Sequence, residues 1–470
     1  MPIIGAIMVP HPPIILPEVG RGEEKKIQAT IDAYRQAAAE MAALKPEVLL
    51  IASPHSILYG DYFHISPGTG TTGTMRQFRA DQVRFSVRYD EELVKKIEAE
   101  AETADVPAGT LGEREPALDH GTMIPLYFLE RESALAGVPI VRISLSGLPL
   151  VDHYRFGQCI AKAVEALDRR AVFVGSGDLS HKCRAEGPYG FAPEGPDYDR
   201  RIMEVMGRAD FGRLFDFDEH FLDKAAECGH RSFVIMAGAL DGRALDCRRL
   251  SHEDTFGVGY GVCTYRVTGT DEDRRFLEAH KKEKALRMEK RREAEDAWVR
   301  LARLSLETYI KTGRELTRGE YPADLPAELT DRRAGAFVSL HRNGQLRGCI
   351  GTIGPTTDSV ADEIVQNAVS AAVRDPRFFP VQMPELADLE VSVDVLGETE
   401  PIDSVDELDV KRYGVIVSCG SRRGLLLPNL DGVDTIEEQV RIAREKGGIR
   451  EGEKGIRYER FEVIRHNPNT

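Results

Sequence analysis

The first half of the chain alternates short apolar runs with longer amphipathic stretches. Runs rich in aliphatic and β-branched residues predict strands at Ile3–Val9, Val48–Ala52, Ile140–Leu145 and Ala171–Gly175. The stretches between and before them predict helices at Glu23–Leu44, Asp90–Ala101, Met123–Leu135 and His153–Leu167. Further along, a core helix and a closing strand are predicted at Arg231–Leu240 and Phe256–Val267. This alternation is typical of an α/β domain with a buried, mostly parallel sheet flanked by helices.

A densely charged segment separates the two halves of the chain. Asp271–Glu295 is rich in Lys, Arg, Asp and Glu and contains neither Pro nor Gly. It therefore predicts a solvated helical connector, and its mixed charges argue against a basic arm for nucleic acid. We expect an α/β domain over residues 1–268, the connector over 269–296 and a second domain over 297–470.

The second half has a different pattern of polar and apolar positions. Helices are predicted at Trp298–Thr312, Ser359–Ala372 and Thr435–Glu445. Strands are predicted at Phe337–His341, Leu346–Thr352, Glu390–Leu396, Val415–Ser418 and Leu425–Leu427. The dipeptide Asn343-Gly344 between the first two strands is a strong signal for a β-hairpin. Together these elements predict an α+β domain.

Composition narrows the possible functions. Among 470 residues, Lys and Arg total 62 and Asp and Glu total 77, so the formal net charge is −15. Such an acidic chain is poorly suited to binding nucleic acid or an anionic membrane surface. No apolar run is long enough to span a bilayer, and no signal peptide is evident. The seven cysteines are scattered without a CxxC pair, which favours reduced thiols in the cytoplasm over a cysteine-based zinc site.

Three histidines follow the ends of predicted strands. His11 comes just after the first strand, His55 after the second, and His181 follows the strand at Ala171–Gly175. In open α/β sheets, ligands bind beyond the carboxyl ends of the strands. One sheet edge would therefore bring these distant histidines together, although each of them alone could be an ordinary polar residue at a strand end.

Further candidates lie near predicted helix starts. His120 precedes one helix, and Glu227 and Cys228 precede another, where the helix N-terminus stabilises a carboxylate. Two histidines and one carboxylate form the facial triad that holds iron(II) and leaves positions open for substrate and dioxygen. Additional histidines nearby would suit proton transfer. Spacing alone leaves a tetrahedral zinc site, and with it a zinc-dependent hydrolase, open.

These motifs resemble a known family over residues 1–268. Pro-His-Pro-Pro at His11, Ser-Pro-His at His55, Asp-His-Gly at His120 and Gly-Ser-Gly-Asp-Leu-Ser-His at His181 resemble class III (LigB-type) extradiol dioxygenases and the related Memo proteins. The resemblance implies that His11 and His55 are metal ligands and that His120 and His181 act in acid–base chemistry. It leaves the third ligand open between Glu227, as in the dioxygenases, and Cys228, as in Memo-like proteins.

The resemblance also implies an activity. A dioxygenase of this type would use Fe(II), with zinc or copper as alternative metals, to open a catechol-like small-molecule substrate beside its diol. A histidine would remove a substrate proton, and His181 or His120 would protonate the oxygenated intermediate. The alternative is a Memo-like metal-binding module without ring-cleavage activity. Relatives among the dioxygenases form dimers or larger assemblies, so a homo-oligomer is also implied.

The second half resembles the AMMECR family over about residues 297–468. The resemblance rests on four segments, which are Leu346–Thr352 (LRGCIGT), Asp375–Phe378 (DPRF), Glu390–Val393 (EVSV) and Gly424–Pro428 (GLLLP). The fusion of the two modules is similar to the AmmeMemoRadiSam group, which implies a radical SAM protein as a partner. The resemblance supplies no activity for this domain.

Within the second half, Cys349 is the candidate reactive residue. It lies between Gly348 and Gly351 on a predicted hairpin strand, where small neighbours let a ligand or another chain approach. Arg347 nearby could bind a carboxylate or phosphate, and a cation lowers the pKa of a thiol. We therefore consider a catalytic Cys349 thiol, against the alternative of a small buried cysteine in the core.

Overall fold

The computed structural model of the chain describes residues 3–342, 344–430, 432–450 and 452–468. It separates into two compact units, Met1–Lys282 and Glu283–Thr470. The charged segment between the predicted domains is largely helical, and the division between the units falls inside that helix.

The first unit contains the following elements. Its strands are β1 (Ile3–Val9), β2 (Val48–Ser53), β3 (Phe63–His64), β4 (Gly70–Met75), β5 (Ala80–Arg88), β6 (Ala108–Gly109), β7 (Ile140–Ser144), β8 (Ala171–Ser176), β9 (Arg243–Glu253) and β10 (Tyr260–Thr270). Its helices are α1 (Pro17–Gly20), α2 (Gln28–Ala43), α3 (Glu91–Thr103), α4 (His120–Leu129), α5 (Leu150–Ala166), α6 (Glu194–Arg208), α7 (Glu219–Ala225) and α8 (His230–Ala239). The boundary between the two units falls inside the helix α9 (Phe276–Glu293).

A six-stranded sheet forms the centre of this unit. Its order is β7-β2-β8-β1-β10-β9, with the first four strands parallel and the last two antiparallel. Every residue of β2 and β8 is buried, because helices cover both faces of the sheet. Ala6 and Met8 of β1 point into one hydrophobic core, and Ile7 and Val9 point into the other. The predicted α/β class with a mostly parallel sheet is confirmed.

Several elements of this unit differ from the sequence prediction. The helix α4 begins at His120 rather than Met123, because the Asp119 side chain accepts a hydrogen bond from Thr122 N and caps the helix there. It ends at Leu129 instead of Leu135. The helix α2 begins at Gln28, after a 3₁₀ turn over Glu23–Ile27. The strand β9 was not predicted, because as an edge strand it is half-exposed and carries several charged residues.

The predicted connector helix is present as α9, and several of its side chains contact other residues. Leu277 belongs to the hydrophobic core of the first unit, and the ring of His280 lies 4.4 Å from that of Phe215. Further along, Lys284 forms a 3.0 Å ion pair with Asp388 of the second unit. The helix is therefore less solvated than its composition predicts.

The second unit combines two antiparallel sheets with helices. Its strands are β11 (Ala336–Arg342), β12 (Gln345–Gly351), β13 (Leu389–Leu396), β14 (Glu400–Ile402), β15 (Gly414–Cys419), β16 (Arg422–Leu426), β17 (Arg457–Phe461) and β18 (Val463–His466). Its helices are α10 (Ala297–Thr312), α11 (Ala327–Thr330), α12 (Val360–Val373) and α13 (Ile436–Lys446). The sheets have the orders β12-β11-β13-β18 and β14-β17-β15-β16.

These elements confirm the α+β class of the second unit. The strands β11 and β12 pair antiparallel as the predicted hairpin requires. Its predicted turn at Asn343-Gly344 falls partly outside the described residues, which do not include Asn343. Throughout the part of the chain that the structure describes, no helix is both long and apolar enough to cross a membrane.

Candidate metal centre

The parallel strands bring three histidines to one edge of the central sheet. His11 follows β1, His55 follows β2, and His120 is the first residue of α4. Each offers one ligand nitrogen, and these nitrogens all lie within 4.8 Å of one another. His11 is buried, His120 is half-buried and His55 is exposed. The centre is therefore anchored in the core and opens towards solvent on the His55 side.

His11 is the most tightly held of the three. Its backbone N–H donates to Asp178 Oδ1 at 2.7 Å, and its ring Nδ1 lies 2.9 Å from Ser176 Oγ. Its Nε2 lies 2.9 Å from His55 Nε2 and 3.5 Å from Cys228 Sγ. The ring thus directs Nε2 towards the point where the other candidate ligands meet.

The hydrogen bonds around Ser176 assign the tautomer of His11. Ser176 Oγ donates to Gly121 O at 2.6 Å, so its only proton is already used. The serine oxygen must then accept the proton on His11 Nδ1, which leaves a lone pair on His11 Nε2. A metal-binding histidine is commonly oriented in this way, by a hydrogen bond from its other ring nitrogen.

His55 and His120 form a stacked pair on the exposed side of the centre. Their ring centroids are 4.0 Å apart, and the planes are inclined by 27°. The ring of Phe78 packs edge-on against His120 at 5.3 Å. His120 therefore has two ring neighbours that could be co-ligands, His55 and, at 5.4 Å, His11, and one that is purely apolar.

A buried ion pair fixes the start of α4 and hence His120. Asp119 accepts hydrogen bonds from Ser53 Oγ at 2.5 Å and from Arg142 Nε at 3.1 Å. Burial alone would raise the pKa of Asp119, but Arg142 and the hydroxyl groups outweigh it and the pKa is lowered. Because Ser53 ends β2 and Arg142 lies on β7, the carboxylate links two strands to the helix.

The protonation of the three histidines favours metal binding. Burial lowers the pKa of His11 well below its usual value, and the charges of His55, His120 and His181 lower it further. Burial lowers the pKa of His120 to about 4. Desolvation by the surrounding residues also lowers the pKa of His55, although Asp119 opposes this and the residue is exposed. All three rings are neutral at pH 7, as a metal ligand must be.

His181 lies beside the cluster on the loop after β8. Its Nδ1 donates to Ala226 O at 2.6 Å, because a carbonyl oxygen can only accept. The lone pair of the neutral ring is therefore on Nε2, and burial lowers the pKa of the ring. Repulsion by a protonated His181 lowers the pKa of both His11 and His55, and Ala226, to which His181 is bonded, lies two residues before Cys228. The exposed ring of Tyr189 packs edge-on against His181 at 5.2 Å.

Glu227 and Cys228 occupy different positions in the structure. The Glu227 carboxylate accepts a 2.6 Å hydrogen bond from His230 N and so binds the first turn of α8. Burial raises its pKa to about 7. Cys228 Sγ instead faces His11, and it also accepts a 3.3 Å hydrogen bond from Asp178 N. Of the two predicted third ligands, the thiol is the one that lies beside a histidine of the cluster.

Two residues of the centre were not predicted as functional. Ser176 is the last residue of β8, and Asp178 follows it within the segment that leads to His181. Burial raises the pKa of Asp178 to about 7, although the His11 N–H opposes this. Both residues form hydrogen bonds with His11, which is far away in the sequence. No local sequence pattern could therefore indicate these contacts. The sequence feature that could have indicated them is their position directly after a predicted buried strand.

Cys349, the other predicted catalytic residue, belongs to the second unit. It lies on β12, where its backbone N–H donates to Asp375 Oδ2 at 2.9 Å. The thiol is half-buried and accepts a hydrogen bond from Ser339 Oγ at 3.2 Å. The structure therefore gives Cys349 a set of neighbours of its own, separate from the histidine cluster.

The donor atoms of the centre suit a divalent transition metal. Two ligand nitrogens at right angles around a metal, each about 2.0 to 2.1 Å from it, would be about 2.9 Å apart. The Nε2 atoms of His11 and His55 have that separation. Imidazole nitrogens bind iron, zinc and copper alike, and a nearby thiol adds a softer donor. The donor atoms therefore fit a metal centre, and they are suited to several different transition metals.

Comparisons with known proteins agree with the two-unit organisation. The family described as the catalytic LigB subunit of aromatic ring-opening dioxygenase matches residues 5–263, and the AMMECR1 family matches residues 299–466. A protein of Clostridium acetobutylicum is 40% identical over 474 residues and covers 99% of both chains. A Thermotoga maritima protein is 50% identical over 173 residues, which is 37% of this chain and 98% of its own. A crystal structure of an uncharacterized Pyrococcus horikoshii protein is 32% identical and covers 38% of this chain and 94% of its own, with a TM-score of 0.35.

Proposed function

This chain belongs to the family of the catalytic LigB subunit of aromatic ring-opening dioxygenases, and we propose that its first unit is a non-haem iron(II)-dependent oxidoreductase. Its substrate class would be a catechol-like aromatic diol. An AMMECR1 domain is fused to this unit. The metal centre would be held by His11 and His55, with Glu227 or Cys228 as the third ligand and His120 left for acid–base chemistry.

The observation that supports this proposal most directly is the position of the two strand-end histidines. His11 Nε2 and His55 Nε2 lie 2.9 Å apart, and the hydrogen bonds of Ser176 leave the lone pair of His11 on that nitrogen. Two neutral imidazoles directed at one point are expected of a metal site. Without a metal the same separation fits a hydrogen bond in which His55 Nε2–H donates to the lone pair of His11 Nε2, and a metal ion would take the place of that proton.

The metal would supply open coordination positions where a diol and dioxygen react. The protein residues around it would position the aromatic ring and move protons. Phe78 and Tyr189 flank the centre with apolar ring edges, which favours an aromatic ligand. His120 is neutral at pH 7, so it can accept a hydroxyl proton from the substrate.

His181 is suited to a different proton transfer. Its Nδ1–H is committed to Ala226 O, so only Nε2 can receive or deliver a proton at the centre. The carbonyl bond also fixes the direction of that nitrogen, and it stabilises the protonated ring while the ring holds a proton. Because His120 and His181 are held by different neighbouring residues, one of them could act as the base and the other as the acid.

The proposal is tested by metal content after anaerobic purification. Wild type is expected to hold one iron per chain, and a His11→Ala/His55→Ala double variant is expected to lose it. A His220→Ala variant is the matched control, because His220 is exposed on α7 and outside the cluster. Zinc, or no metal, in wild type would contradict iron dependence. Iron without oxygen uptake in the presence of any aromatic diol would contradict ring cleavage.

A second candidate function is favoured by the position of Cys228. Its sulfur lies 3.5 Å from His11 Nε2, whereas the Glu227 carboxylate is bound to His230 N. A histidine and thiolate set without a carboxylate would fit a Memo-like metal-binding module that acts with a radical SAM partner and does not cleave rings. Under this alternative, Cys228→Ser would lose the metal while Glu227→Gln keeps it, and a radical SAM protein would copurify with the chain. The opposite pattern of metal loss would favour the dioxygenase.

A further inference from the structure

The exposed large apolar side chains of the first unit lie on the three loops that carry the histidines. Within residues 3–282, these side chains belong to Leu58, Leu111, Tyr189 and Phe191, and each residue is between 55% and 78% exposed. One lies on the loop after β2, which carries His55, and one on the loop that leads to His120. The other two lie on the loop after β8, which carries His181. Exposed apolar groups that gather in one region mark a binding surface.

The first two of these loops are held together by tyrosine hydroxyl groups. Tyr59 Oη donates to Gly112 O, and Tyr62 Oη accepts from Leu111 N at 3.3 Å. Leu58 precedes Tyr59 directly, so Leu58 and Leu111 lie on segments that are bonded to each other. We call these two leucines the first flank. It begins three residues after the exposed histidine of the centre.

The loop after β8 provides a second flank, made of Tyr189 and Phe191. The ring of Tyr189 packs edge-on against His181, with 5.2 Å between the ring centroids. A β-bridge between Cys183 and Phe191 brings the loop back to the segment that carries His181. Because β2 and β8 pair in parallel, the loops that follow them leave the sheet at the same edge. Both flanks therefore border the metal centre.

The three loops carry no excess of positive charge. Within residues 54–62, 110–118 and 177–193, the acidic residues are Asp61, Glu113, Glu115, Asp178 and Glu186, and the basic residues are Arg114, Lys182 and Arg184. Of the basic residues, Arg184 is already paired with Asp254 at 2.5 Å. An anionic substituent on a substrate would therefore gain little attraction from these loops. An apolar substituent would gain from its removal from water.

We propose that the metal centre acts on an uncharged aromatic diol with a bulky apolar substituent, which packs against the two flanks while the diol reaches the metal. This inference rests on the proposed function and narrows its substrate class. A diol without a substituent would leave the four apolar side chains in water, so it would not account for them. Each buried methyl or methylene group of the substituent would tighten binding about fourfold.

The proposal is tested by anaerobic calorimetry on the full chain, with catechol and 4-tert-butylcatechol as ligands. The second diol carries four more carbon atoms and should bind to wild type about 10-fold more tightly, since part of that group is buried. A Leu111→Ser/Phe191→Ser double variant should lose this preference by weaker binding of 4-tert-butylcatechol alone. Both side chains are exposed, so the fold should tolerate the change. Leu111→Met/Phe191→Met should keep the preference.

A control variant and a second measurement separate the possible outcomes. Leu286→Ser changes an exposed leucine on α9, outside the three loops, and should alter neither dissociation constant. Equal binding of the two diols by wild type, or an unchanged preference in Leu111→Ser/Phe191→Ser, would overturn the proposal. Oxygen uptake with the same diols tests the proposed function separately. A binding preference without oxygen uptake would contradict ring cleavage alone, and oxygen uptake without the preference would contradict the apolar site alone. No binding of either diol would contradict both.

Discussion

Ser176 determines which nitrogen of His11 keeps a lone pair for the candidate metal centre. Its oxygen accepts the His11 Nδ1 proton because its own proton is donated to Gly121 O. We expect Ser176→Ala to weaken metal binding about 10- to 100-fold, the usual effect of losing the partner that orients a ligand histidine. Ser176→Thr keeps the hydroxyl group and should bind nearly as tightly as wild type. Affinity measured by competition with a chelator checks this, and equal affinity in Ser176→Ala would contradict it.

The sequence allowed some residues of the centre to be predicted and not others. His11, His55 and His120 stand beside recognisable strand ends or helix starts, and the structure brings them together. Ser176 and Asp178 could not be assigned, because their roles depend on which nitrogen and which backbone group they reach in three dimensions. Cys349 was noted for its glycine neighbours, but its hydrogen bonds with Ser339 and Asp375 could not be assigned, since they depend on which residues the fold brings beside it.

At the scale of elements, the start of α4 depends on a buried ion pair as well as on a cap. Asp119 bonds the first turn of the helix and also neutralises Arg142 of β7, and the two side chains are 8% and 2% exposed. We expect Asp119→Ala to lower the free energy of unfolding of the first unit by about 3 to 5 kcal/mol, because it leaves a buried charge without a partner. Denaturant unfolding measures this change.

A matched variant separates the two contributions of Asp119. Asp218 caps α7 through Phe221 N in the same way, and its hydrogen bond is exposed. Asp218→Ala should therefore cost only about 1 kcal/mol, the value of a helix cap alone. Similar losses in the two variants would mean that the pairing with Arg142 adds little stability.

The elements predicted best are those with both faces buried. The parallel strands β1, β2, β7 and β8 are mostly apolar runs, interrupted in β7 by Arg142, so composition alone located them. The edge strand β9 escaped prediction, since its residues are half-exposed and carry no alternating pattern. The helix α6 was also missed, because Pro196 and several charged residues in its first turns interrupt the apolar periodicity.

At the scale of the whole molecule, the metal centre and the AMMECR1 domain lie in different compact units. A metal that binds only the folded first unit should stabilise that unit, by about 2.7 kcal/mol at a free concentration 100 times its dissociation constant. Anaerobic calorimetry with ferrous iron should show one unfolding transition moving upwards and another unchanged. The His11→Ala/His55→Ala variant should show no movement, and an equal movement of both transitions would indicate that the units unfold together.

The position of β1 inside the sheet has a consequence for how the protein is made. Its partners are β8, which includes Ala171, and β10, in which Cys263 pairs with Met8. At about 5 to 20 residues per second, a ribosome needs about 10 to 50 s after β1 before it has made that part of β10. During this interval His11 has no scaffold to hold it. A metal that needs this scaffold would therefore be loaded late in biosynthesis, and an apolar N-terminal segment must stay free of aggregation until its partners emerge.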